Sequence, residues 1–203
     1  MNNLARAIAL PYERHRPKIT DDRRSHDALP TNMNNIVIET ERLFLREWLT
    51  EDFQDFKSIA TNPLVMKYIG TGEIWSDERI GQFIDKNMTL YKQYGFCLWA
   101  LIHKQRQNLI GLCGLSPLTL DEIEIGWWLV PEYWGVGLAT EAATAAMSYG
   151  FEQLNLPRIV SIAQPANQRS IRVMSKLGMH FEKMSTDRRG IEVVYYALNN
   201  RLR

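Results

Sequence analysis

The sequence predicts a mixed α/β (α+β) fold, with about seven mostly antiparallel strands in one sheet flanked by about four helices. Three observations carry this. Ile123, Ile125, Trp127 and Leu129 alternate with Glu122, Glu124 and Gly126, the period-two signal of a strand with two dissimilar faces. Two apolar runs, residues 96–103 and 109–115, are separated only by a polar turn and read as a hairpin leading into that central strand. Helical periodicity fills the intervals: Phe53, Phe56 and Ile59 recur at three-residue spacing, and Ile80, Phe83, Ile84, Asn87, Met88 and Tyr91 share a second face.

Taken in order, residues 1–32 differ in composition from the rest, with three prolines, many charges and little apolar periodicity after Leu10. They read as a poorly ordered N-terminal extension ahead of a single domain spanning 33–203. Met33 directly precedes the first strand, so the physiological start is expected there. Strand character then appears on both sides of the Glu39, Thr40, Glu41 break. Thr50 offers an N-cap to a helix with Glu51 and Asp52 in its first turn, where the helix dipole favours acids. Asn62 and Pro63 begin a short helical turn that ends at Gly70, and Ser76 caps a longer helix reaching about Tyr94. Beyond the central strand come a long helix, a strand over 158–163, a helix over 167–177 with Gly178 closing it, and a final hairpin over 179–184 and 191–198.

A chain of 203 residues with 45% hydrophobic content is long enough for one well-packed core. A net charge of +1 provides no global field to recruit nucleic acid or an anionic membrane. Cys97 and Cys113, the only cysteines, each lie inside an apolar run and read as buried free thiols, which fits a reducing cytoplasm. No apolar run approaches the roughly 18 residues needed to span a membrane. The four histidines have no metal-ligand spacing, so no metal is expected.

Gly135 and Gly137 bracket Val136 and lead into Leu138, Ala139, Thr140 and a run of strong helix formers. Unpaired amides and the positive end of the helix dipole meet at such a turn and favour an anion. Glycine lets the backbone approach a phosphate closely. An ordinary strand-to-helix connection has the same appearance. A Walker A loop is excluded because no lysine follows these glycines, and a dinucleotide fingerprint is excluded because Thr140 stands where its third glycine falls.

The segment PEYWGVGLATEA resembles the acetyl-CoA signature of the GCN5-related N-acetyltransferases (GNAT), in the form used by their ribosomal-protein-alanine (RimJ/RimL-like) branch. Trp134, Gly137 and Ala139 occupy the three fixed places of that pattern, with Trp134 departing from its Gln or Arg. Two further segments are similar to that branch: the T-x-R-L-x-L-R opening at residues 40–46, and the N-x-x-S segment at Asn167 and Ser170 that leads to Lys176 and Gly178. The element order matches over residues 36–198, so the resemblance implies the twisted acyl-CoA N-acyltransferase sheet.

The resemblance further implies that the strands ending near Val130 and Gln164 splay apart around the pantetheine arm of acetyl-CoA. Leu129 and Val130 would hydrogen-bond the arm through their backbone. The pyrophosphate would sit on amides of Gly135, Val136, Gly137, Leu138, Ala139 and Thr140, with Trp134 beside them and Asn167 contacting the cofactor. Transfer to an amine needs a base, since most amines are protonated at neutral pH. Glu124 is the candidate by its match to the branch, with Glu122 in reserve. Ser170 is the candidate proton donor or partner of the thiol, or else a helix cap. Met174 stands where many relatives have a tyrosine.

The expected activity is therefore acetyl-CoA-dependent N-acetylation of a primary amine, a small molecule or a protein N-terminus, by direct transfer in a ternary complex. Tyr68, Trp75 and Tyr91 are candidates for the acceptor pocket. A homodimer is compatible with apolar surface at Trp127, Trp128 and the final hairpin. Two other readings stay open: a non-catalytic acyl-CoA-binding module, and nucleic-acid binding through the N-terminal arm.

Overall fold

The computed structural model describes residues 35–200, so the expected extension and the start at Met33 lie outside the described residues. Chain order gives β1 (Ile36–Glu39), β2 (Leu43–Arg46), α1 (Phe53–Ala60), α2 (Pro63–Met66), α3 (Asp77–Tyr94), β3 (Leu98–His103), β4 (Asn108–Pro117) and β5 (Ile123–Leu129). Then follow α4 (Leu138–Ser148), β6 (Arg158–Ala163), α5 (Gln168–Lys176), β7 (His180–Thr186) and β8 (Glu192–Asn199). The eighth strand arises at the acidic break near the start. Thr40 turns the chain there, its hydroxyl accepting from the Leu43 N–H at 3.0 Å, so β1 and β2 become separate antiparallel strands.

The eight strands form one sheet in the order β1-β2-β3-β4-β5-β6-β8-β7. Every neighbouring pair is antiparallel except β5 and β6, which are parallel and register only at Glu124 opposite Val160. Antiparallel neighbours join by short turns, whereas the parallel pair needs a crossover, supplied here by α4 and a π turn over Tyr149–Gln153. Gly150 in that turn is packed so closely that a Cβ would stand 2.8 Å from Ile159 and 3.0 Å from Leu115.

Strand alternation divides the core in two. Ile123, Ile125 and Leu129 face α4, where Ala142, Ala143 and Ala146 are fully buried and let the helix lie close to the sheet. Ala100, Ile102 and Leu112 face α1 and α3 with Trp48, Phe56 and Ile80. Trp75, Phe83 and Trp128 add an aromatic cluster to this second core, with Trp75 and Trp128 edge to face at 5.1 Å. Trp127 packs against the first core and Trp128 against the second, both partly buried.

Thr50 does not cap α1. Asp52, instead, accepts from the Leu49 N–H at 2.8 Å and forms a buried two-pronged ion pair with Arg46. This draws residues 50–52 into a 3₁₀ turn before the α-helix begins. Ser76 caps α3 as the sequence suggests, accepting from the Arg79 N–H, and Gly95 ends it at φ +75°. Cys97 and Cys113 are free and buried, and burial pushes both thiols up. Among the described residues, no helix is long and apolar enough to cross a membrane and no group of His, Cys, Asp or Glu is arranged to hold a metal ion.

Candidate active site

Beyond the Glu124–Val160 pair, β5 and β6 separate, and a cavity of about 720 Å³ opens over the ends of both strands. Its walls are Trp127, Trp128 and Leu129, then Ala166, Asn167 and Ser170, together with Leu64, Val65, Lys67, Tyr68 and Ile69. Alternation along β5 decides which backbone groups face the gap. Val130 gives its N–H to Ile110 at 2.9 Å and its carbonyl receives the Tyr133 N–H, so its backbone is committed away from the gap. This corrects the expected role of Val130. Leu129 lines the cavity, but its carbonyl accepts from the Trp134 indole at 2.7 Å.

The glycine turn forms the floor. Gly135 at φ +78° and Gly137 at φ +89° both occupy the left-handed region that penalises a Cβ. Gly137 is the N-cap of α4, with no side chain capping the first turn, so the amides of Leu138, Ala139 and Thr140 are available at the dipole's positive end. Trp134, Gly135, Gly137, Leu138, Ala139 and Thr140 all line the cavity, whereas Val136 points outward and is 56% exposed. Nothing lies within 4 Å of the Cβ position at Gly135, so the cradle opens onto free space. Arg169, Arg172 and Lys176 of α5 project to the same cavity. Donor amides, an open approach and three cations suit a pyrophosphate-bearing ligand such as acetyl-CoA.

A strap that the sequence reading passed over fixes this floor. Glu141, in the first turn of α4, accepts from the Thr40 hydroxyl at 2.6 Å, the Arg42 N–H at 2.8 Å and the Arg42 Nε at 2.7 Å. Arg42 then reaches the Val136 carbonyl through Nη1 at 3.0 Å. Burial alone raises the Glu141 carboxyl, but the Thr40 hydroxyl and the Arg42 amide and guanidinium outweigh it and hold it below the usual range. The signal was the T-x-R opening, whose threonine and arginine make these bonds.

Asn167 is the N-cap of α5. Its Oδ1 accepts from the Ser170 N–H at 3.3 Å, leaving the amide donors on the cavity side. Ser170 is therefore not the cap, and its hydroxyl lies in the cavity wall. Of the acceptor candidates, Tyr68 lines the cavity. Trp75 is buried beneath Arg79, whose guanidinium stacks 4.3 Å from its ring, and Tyr91 packs on the first core.

Glu124 stands outside the cavity wall, on the sheet face it shares with Trp128. Burial pushes its carboxyl up to about 7, against the opposing pull of the Ile162 N–H and the Arg188 guanidinium. Ile162 lies two residues beyond Val160, the residue of β6 registered with β5, so this carboxylate sits where the strands part. Glu122 is engaged elsewhere, accepting from the Tyr195 hydroxyl at 2.5 Å beside Arg158, and is not placed to act as a reserve base.

The model of the Acetyltransferase (GNAT) domain matches residues 42–180. The chain is 36% identical over 146 residues to the N-acetyltransferase YnaD of Bacillus subtilis, covering 71% of this chain and 83% of that one. Spermidine N(1)-acetyltransferase of Escherichia coli K12 is 30% identical over 149 residues, covering 68% and 73% respectively. The crystal structure of a GNAT-family acetyltransferase from Bacillus anthracis superposes with a TM-score of 0.70 at 30% identity, over 80% of this chain and 98% of that one. A splayed sheet with an amide cradle at its opening is the architecture of an acyl-CoA-dependent acyltransferase. The chain belongs to the GNAT acetyltransferase family, and it is an acetyl-CoA-dependent acetyltransferase.

Proposed function

We propose that the protein transfers the acetyl group of acetyl-CoA directly to a primary amine, with both substrates bound together. The observation that carries this is the split sheet: the cavity along it holds the cradle of Gly135, Gly137 and the first amides of α4, and Glu124 stands just outside the cavity wall, at the registered pair where β5 and β6 part. Two substrates can approach from opposite sides without a covalent enzyme intermediate. Neither buried cysteine offers a thiolate for one.

In this reading the amide cradle and Arg169, Arg172 and Lys176 hold the cofactor phosphates, and Asn167 donates to the arm. Glu124 takes a proton from the amine, directly or through water. A carboxyl near 7 is half ionised at neutral pH and strong enough as a base to matter there. The nitrogen lone pair then forms the C–N bond as the C–S bond breaks, the proton shed by the acylated nitrogen passes to the departing sulfur to give the CoA thiol, and Ser170 hydrogen-bonds that sulfur as it leaves. Free buried thiols support a reducing, cytoplasmic setting. The spermidine acetyltransferase relative supports a primary-amine acceptor.

The test is calorimetric titration with acetyl-CoA, beside a Gly135→Glu variant, followed by thiol release over a panel of amines. Micromolar binding that the variant abolishes, with acceptor-dependent release, is expected. Binding without release for any amine points to a non-catalytic acyl-CoA module. For Glu124→Gln, turnover is expected to fall roughly 100-fold near pH 7.5 with the acetyl-CoA Kd retained. The deficit should narrow toward pH 9.5, where the amine deprotonates unaided. A pH profile matching the wild type removes Glu124 from the reaction.

A further inference from the structure

Cations from three separate elements gather around Glu124 and the loop at Gly70, beside the cavity-lining Tyr68 and Ile69. The β7–β8 turn brings Arg188 to Glu124, close enough to pull on its carboxyl, and the Arg188 guanidinium also donates to the Leu118 carbonyl of the β4–β5 connection. Among the described residues Arg188 has no carboxylate within ion-pair distance, so much of its charge is unspent. Arg189 reaches the loop that borders the cavity. Its guanidinium lies 3.3 Å from the Cβ position of Gly70, next to the lining residues Tyr68 and Ile69, and its Asp187 partner is at 3.4 Å. Gln164, at the end of β6, donates to the Gly70 carbonyl at 2.9 Å and ties this loop to the split sheet. Arg79 stacks on Trp75 behind the loop and feels the charge of Arg189, and Lys67 lines the wall. The carboxylates facing this group are Glu124, Asp187, which is engaged with Arg189, and Glu73 near Arg79.

Resting on the proposed transfer to an amine, we propose that the acceptor carries a carboxylate close to its nucleophilic nitrogen, recognised by Arg188 and Arg189. A free amino acid and the acidic N-terminus of a peptide share this chemistry. A polyamine does not, because its second ammonium would meet the arginines with like charge. The same cations disfavour the protonated form of the bound amine, so the anion anchors the acceptor while its neighbours keep the nitrogen available.

The experiment measures kcat/KM with acetyl-CoA for matched acceptors: glutamate against its bis-amide, glycine against glycinamide, a peptide beginning with aspartate against one beginning with asparagine, and spermidine. A preference of about tenfold or more for the carboxylated member of a pair is expected, with spermidine poorest. The first two pairs and the peptide pair separate a free amino acid from a peptide as the source. Arg188→Ala should narrow the ratio within a pair, Arg188→Lys should keep most of it, and Arg188→Glu should invert it. These ratios are insensitive to how much variant folds. Equal rates within every pair, or spermidine as the best acceptor, overturn the proposal. So does a protein that binds acetyl-CoA yet acetylates no carboxylated amine. Loss of acetyl-CoA binding itself would instead strike at the transferase reading.

Discussion

Replacing Glu124 by glutamine should make the protein slower and, at alkaline pH, more stable. The folded carboxyl titrates at about 7 and the ordinary value is 4.5. Between these two values the folded state binds the proton more tightly than the unfolded one, so stability falls as pH rises from about 4.5 to about 7 and stays level above. At about 1.4 kcal/mol per tenfold difference in proton affinity, the ionised carboxylate costs up to about 3 kcal/mol at pH 8. Glutamine has the same shape and never ionises. Urea unfolding at pH 4.5 and pH 8 is the assay. The variant should match the wild type at the lower pH and exceed it by up to about 3 kcal/mol at the higher, equivalent to roughly 6–10 °C in Tm for a domain of this size. Equal pH dependence for both proteins would show that Glu124 titrates normally, and the base assignment would lose its physical ground.

Glu141→Gln removes a charge that serves three hydrogen bonds. With the half-exposed Arg42 contact discounted for solvent, we expect a loss of about 2 kcal/mol at pH 7. Because the native Glu141 carboxyl is held low, that advantage exists above about pH 4.5 and disappears as pH falls through the folded value. Unfolding curves that keep the same gap at pH 3.5 would refute this. Gly137→Ala forces a side chain into φ +89°, 3.5 Å from Arg42, and should weaken acetyl-CoA binding about tenfold by calorimetry; an unchanged Kd would move the phosphate away from this turn. Cys97 and Cys113 should resist iodoacetamide in the native protein and label only on unfolding, and rapid native labelling seen by mass spectrometry would contradict their burial.

What could be read from the sequence was whatever is encoded within one turn or one strand. The alternation of β5, the two left-handed glycines, the Ser76 cap and the helical face of α3 are local, and each appears where the pattern put it. The π turn after α4 depends on Gly150 fitting against Ile159 and Leu115, contacts made across the fold. Thr50 lost its role because Asp52 found Arg46, six residues earlier, a choice that local capping rules do not weigh. Within the site, the turn and Asn167 were legible as motif positions. The commitment of Val130 to Ile110, the capture of Glu122 by Tyr195, and the arrival of Arg188 beside Glu124 were not, because each depends on strand register or on segments far apart in the chain.

The single registered pair between β5 and β6 leaves the sheet like a zipper stopped partway, with no further registered pair between the two strands. On the proposed placement of the cofactor, a pantetheine arm, which carries amides of its own, would act there as a borrowed strand and complete the ladder that the polypeptide leaves unfinished. Loading the cofactor would then be the last increment of folding. Amide exchange at Trp127 and Leu129 should slow when acetyl-CoA is bound, and unfolding should shift upward with its concentration. On that placement, the seam that makes room for chemistry is also where bound acetyl-CoA would set how firmly the two halves of the sheet are joined.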